Sequence, residues 1–103
     1  MVERYDSKCP VGRTMNVIGD TWSVMILRDL FLNTRCRYQD FVESLAYVSP
    51  NTLSERLKWL EAQGVVKREY YSEHPPRAEY VLTEKGKALG PIVKAMKEWG
   101  EKF

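Results

Sequence analysis

Ser49-Pro50-Asn51-Thr52-Leu53-Ser54-Glu55-Arg56-Leu57-Lys58-Trp59-Leu60 is the stretch on which the fold turns. Ser49 suits a helix N-cap, where its hydroxyl accepts from an orphan backbone N–H. Pro50 suits the first helical position, because its missing donor costs nothing there. Val48 and Leu53 fall at the two positions of a hydrophobic staple. Leu53, Leu57 and Leu60 line one face, and Gly64 ends the helix in the usual C-terminal way. With the leucines inward, steps of about 100° per residue turn Asn51, Glu55 and Lys58 outward and put Thr52, Ser54 and Arg56 on the flanks.

The neighbouring segments give this helix a context. Upstream, Tyr38, Phe41, Val42 and Leu45 follow i, i+3, i+4, i+7 spacing, so a short amphipathic helix precedes it across the turn Ala46-Tyr47-Val48. Downstream, Val65 to Ser72 and Ala78 to Leu82 are rich in Val and Tyr and read as strands. The tip between them carries Pro75 and Pro76, which cannot sit inside a paired ladder, so a hairpin with a longer loop is expected. Two helices joined by a short turn and followed by a hairpin make a winged helix-turn-helix.

The flanks fit around that unit. Residues 1–8 are polar and read as a loose start. Val11, Met15 and Ile18 mark a first helix, which Gly19-Asp20 interrupts. Asp20 or Thr21 can cap a second helix from Trp22 to Leu32, where Trp22, Met25, Ile26, Leu27 and Leu30 form a wide apolar face. Residues 33–36 are a connector with room for one short strand. Thr83 caps a last helix whose apolar stripe is Leu89, Ile92, Val93, Met96, Trp99 and Phe103. The expected class is mainly α with a small β-hairpin (α+β), in a single domain over residues 1–103.

Composition narrows the function. The chain has 103 residues, 44% hydrophobic and 29% charged, as a globular domain does. No apolar run approaches the roughly 20 residues of a membrane span, and no signal-peptide core is visible, so a cytoplasmic location is expected. Net charge is +2. Residues 1–49 hold six basic and six acidic side chains, residues 50–82 five and five, and residues 83–103 five and three. The positive excess therefore lies outside the reading helix and hairpin, and any basic surface must arise by folding. Two cysteines, Cys9 and Cys36, and one histidine, His74, offer no zinc cluster, and no metal or cofactor is expected. No glycine-rich phosphate loop or nucleophile elbow is present, so no enzyme is expected.

Ser49, Asn51, Thr52 and Ser54 offer short polar groups that can enter a DNA major groove. Arg56 and Lys58 can reach phosphates or guanine edges. Glu55 can accept from a cytosine amino group or pair with a neighbour. His74 and Arg77 at the hairpin tip can reach the adjacent minor groove or the backbone. The competing class is a winged-helix protein-interaction module without DNA binding, which the neutral balance of residues 1–82 favours.

At this level of detail the chain resembles the HxlR family of bacterial and archaeal winged-helix transcriptional regulators. Cys9-Pro10-Val11 matches the family's opening Cys-Pro. Ile18-Gly19-Asp20-Thr21-Trp22 is similar to its Ile-Gly-Gly-Lys-Trp, with Asp20 and Thr21 departing. Arg37-Tyr38 and Asp40 sit like its Arg-Phe-x-Glu, and Thr34 replaces the usual glycine. Leu53 to Glu61 matches the recognition-helix pattern. Arg68 and Tyr71, then Pro75-Pro76-Arg77-Ala78-Glu79-Tyr80 with Leu82-Thr83, are similar to the wing signature. Trp99-Gly100 matches the ending, so the resemblance spans about residues 9–100.

The resemblance implies a homodimer built through extra N- and C-terminal dimerisation helices, the latter within residues 83–103. It also implies a two-fold double-stranded DNA operator. Leu89, Ile92, Val93, Met96 and Trp99 are the expected dimer interface, and the stripe is wider than a helix covering one small core needs. Some members sense oxidants or electrophiles through a cysteine at the place of Cys9. Here Cys9 lies just before a helix, with Lys8 and Arg13 adding positive charge nearby. The alternative is a small packed residue with no redox role. Cys36 matches no motif and reads as incidental.

Overall fold

The computed structural model describes residues 4–103. Helix α1 (Pro10–Ile18) leads to α2 (Ser23–Asn33), a two-residue strand β1 (Arg35–Cys36) and α3 (Tyr38–Ser44). Then come α4 (Pro50–Ala62), the strands β2 (Val66–Glu73) and β3 (Pro76–Leu82), a single turn α5 (Glu84–Lys87) and α6 (Gly90–Lys102). The sheet is antiparallel in the order β1-β3-β2. Its register pairs Arg35 with Val81 and Val66 with Leu82. The connector thus becomes the third strand of the wing.

The core is built from the apolar faces of α2, α3 and α4 and the start of β2. Ile26, Leu27 and Leu30 of α2 meet Phe41 and Leu45 beside α3, the three leucines of α4, and Val65 and Val66, all buried. Burying a leucine this fully is worth about 2–5 kcal/mol against alanine. Asp20 caps α2, its Oδ1 accepting the Trp22 and Ser23 N–H groups at 2.9 Å each. Gly64 takes φ +74° after α4, the conformation that favours glycine. A Cβ at Gly86 would run into the Val65 carbonyl, so the α5 turn can approach the strand only without a side chain.

Three expectations change. Of the start read as loose, residues 1–3 lie outside the described residues, and the remainder is tied to α1. Arg4 and Tyr5 donate their backbone N–H groups to Asn16 Oδ1 at 3.0 and 2.9 Å, and Asn16 returns a bond to the Tyr5 carbonyl. The hairpin loop is short, because Pro76 pairs with Glu73 at the end of the ladder and only His74 and Pro75 turn. A proline at the first residue of a strand forfeits no internal ladder bond. The strands absorb a bulge between Tyr70 and Ser72 instead. The last helix is two pieces, broken around Ala88 and Leu89. Pro91 has no N–H and its ring would clash with the carbonyl four residues back in one continuous helix.

Candidate nucleic-acid interface

Helices α3 and α4 and the turn between them form the reading unit. Arg37 precedes α3 in a capping box, its backbone N–H donating to Asp40 Oδ2 at 2.7 Å. That bond, with the Arg37 side chain, holds the Asp40 carboxyl below its ordinary value. The Tyr38 hydroxyl donates to the Pro50 carbonyl at 3.3 Å and ties α3 to the start of α4. Trp59 anchors the other end of α4, its Nε1 donating to the Val17 carbonyl at 3.0 Å. Helix α4 is therefore tied to α3 at its start and to α1 near its end.

The structure turns Asn51, Glu55 and Lys58 outward, as the leucine stripe requires. Ser49 and Thr52 are committed locally. The Ser49 hydroxyl accepts the Thr52 N–H at 3.2 Å and donates to the Thr52 hydroxyl at 2.9 Å. Ser54 is partly buried on the flank. Arg56 points inward, its Nε 3.2 Å from Asp20 Oδ1 and its side chain only 20% exposed. The acid beside it, Asp20, stands where the resembled family carries glycine.

On the wing, His74 and Arg77 are exposed at the tip. Among the described residues, Lys58, His74 and Arg77 have no ion-pair or side-chain hydrogen-bond partner. The strand cations are engaged. Arg68 pairs with Glu61 at 3.0 Å and Arg35 with Glu69 at 2.6 Å, which holds the Glu69 carboxyl below its usual range. Pairing uses up charge along the strands and leaves it at the tip. Arg37, whose exposed side chain stands at the α3 N-terminus, and the exposed Tyr70 and Tyr71 were given no DNA-facing role from the sequence. The signal was present in Arg37-Tyr38 and in the aromatic pair of β2.

Cys9 is exposed and is itself the N-cap of α1, its Sγ accepting the Gly12 N–H at 3.4 Å. Arg13 is turned to the Ser7 carbonyl at 2.8 Å. Cys36 is buried, and desolvation first, then Asp29, pushes its thiol up to about 11, so it stays protonated and inert. On and flanking α6, Leu89 and Val93 pack against the chain's own core, whereas Ile92, Met96, Trp99 and Phe103 are 37%, 53%, 68% and 79% exposed. Val11 and Met15 of α1 also face outward, so only Ile18 of that expected face is buried. Among the described residues no cluster of metal-ligating side chains occurs and no helix is long and apolar enough to cross a membrane.

A family model described as HxlR-like helix-turn-helix matches residues 17–103. The HTH-type transcriptional regulator YybR of Bacillus subtilis is 41% identical over 93 residues, covering 90% of this chain and 74% of that protein. YdeP of the same organism is 38% identical over 95 residues, covering 92% and 73%. Among solved structures, the redox regulator HypR in its oxidized form superposes with a TM-score of 0.85 at 40% identity, covering 92% and 97% of the two chains. The reduced transcriptional regulator YodB of B. subtilis superposes at 0.76 and 32%, covering 92% and 93%.

Proposed function

For a chain that belongs to the HxlR-like helix-turn-helix family of transcriptional regulators, we propose sequence-specific binding to a two-fold operator as a homodimer, under redox control through Cys9. The observation that carries the reading is the outward row Asn51, Glu55 and Lys58 on a helix pinned at both ends, beside a wing tip with free Arg77 and His74. The helix presents edge-reading groups to the major groove, and the tip positions the protein on phosphates. Exposed apolar side chains on α1 and α6 support the dimer. The names of HypR and YodB, an exposed Cys9 at a helix N-terminus and an inert Cys36 support the redox control.

Fluorescence anisotropy on a duplex library tests it. Affinity falls with salt at a log–log slope near −0.9 per phosphate contacted. Asn51→Ala costs about 1–3 kcal/mol at selected base pairs and little elsewhere. Binding indifferent to salt, or none to any duplex, overturns the reading in favour of an interaction module.

A further inference from the structure

Arg56 has no role in the outward reading row. Its guanidinium lies beneath the α1–α2 turn, opposite an Asp20 side chain that is 7% exposed. The 3.2 Å approach of Nε to Asp20 Oδ1 is poorly aligned, and this buried Nε donates no hydrogen bond. Asp20 is engaged in capping α2. Its Oδ1 accepts two backbone N–H groups, and its Oδ2 accepts the Ser23 hydroxyl. Asp20 therefore stands beside Arg56 by charge without accepting the Nε hydrogen. Buried donors in native proteins have partners, and an unpaired one calls for an explanation.

The Arg56 side chain borders a cavity of about 530 Å³ whose lining includes Met15, Trp22 and Thr52, with the exposed Arg4 and Tyr5 beside it. Two cations line the recess with one acid, so its charge balance favours an anion. A planar guanidinium fits a carboxylate with two parallel bonds. The half-buried Trp22 and the Met15 thioether line it and offer an apolar wall. We propose that this recess binds a small organic carboxylate, its charged end on Arg56 and its apolar body against Trp22 and Met15. A phosphate of a bound duplex shares the anionic chemistry, but it brings no apolar body to that wall.

Benzoate is the probe and benzyl alcohol its neutral counterpart, titrated into the ¹⁵N-labelled full chain by NMR. Benzoate shifts saturate at Asp20, Trp22 including its indole N–H, and Thr52. Benzyl alcohol binds about tenfold more weakly or worse, as loss of a charge-assisted pair requires. Arg56→Gln, folded by circular dichroism, loses benzoate binding by a similar factor. Should that variant unfold, the wild-type shift map and the benzyl alcohol comparison still decide. Shifts elsewhere, equal affinity for the alcohol, or unchanged affinity in folded Arg56→Gln overturn the proposal. Recess shifts with inorganic phosphate and a short duplex but none with benzoate overturn it too, and reassign Arg56 to the DNA backbone. Duplex binding by the wild type is measured separately, so failure here leaves the operator reading standing.

Discussion

Thr34 ends α2 with φ +67°, a backbone region that β-branched residues rarely adopt. The resembled family carries glycine at this place, and here the strain persists because Thr34 must deliver the chain from α2 into β1. Its N–H is held by the Leu30 carbonyl at 2.9 Å. Such strain costs about 1–3 kcal/mol, and glycine returns part of any gain through its unfolded-state freedom. Thr34→Gly is therefore expected to stabilise by about 1 kcal/mol, seen as a higher urea midpoint at unchanged slope. A lower midpoint would show that the Thr34 side chain holds the junction together. Cys9 makes a second residue-scale prediction. A thiol reagent is expected to modify Cys9 in the native protein and to reach Cys36 only after unfolding, because only Cys9 is exposed. Mild oxidation then weakens operator binding in the wild type and spares Cys9→Ser. Equal loss in both removes Cys9 as the sensor.

Among the elements, α3 shows how local charge sets its own pH limit. Asp40 closes the capping box with Arg37, and its carboxyl lies below the ordinary 3.8 in the folded chain. Above that value the group is ionised in both states and its contribution is fully present. As pH falls through 3.8 toward the folded value, the unfolded chain takes up the proton first and the contribution is lost. The stability advantage of wild type over Asp40→Asn is therefore expected to shrink between about pH 5 and about pH 3, followed by urea melts. An advantage independent of pH would assign Asp40's effect to packing. The same scale separates what periodicity could and could not reveal. Ser49, Pro50 and the leucine stripe set α4 within its own thirteen residues, and the structure has α4 at Pro50–Ala62. The break before α6 and the two-residue wing tip depend on how proline meets a neighbouring carbonyl or strand, so apolar spacing did not reveal them.

At the scale of the molecule, the chain leaves Val11, Met15, Ile92, Met96, Trp99 and Phe103 facing outward. Single exposed apolar residues are ordinary, but a run along a terminal helix marks an interaction surface. Met96→Glu with Trp99→Glu is expected to give a folded monomer by sedimentation, since both side chains are more than half exposed and neither supports the core. Because each reading head offers few free cations, the monomer is also expected to lose operator affinity. A dimer that survives both charges would place the interface elsewhere. Leu89 and Val93 are left out of this test because they pack inward, a division the stripe alone did not reveal.

The sequence by itself determined the reading helix, its cap, its outward row and the order of elements, because each rests on interactions between residues a few positions apart. It also carried the family pattern at Cys9, along α4 and on the wing. Only the tertiary structure decided which charges stay free. Arg56 was one of several flank residues until folding set it against Asp20, thirty-six positions earlier and capped into another helix. Arg35 and Arg68 were likewise neutralised by Glu69 and Glu61 once the sheet and α4 came together. Helical spacing reports the direction of a side chain on its own element, whereas an ion pair depends on what another element brings to the same point.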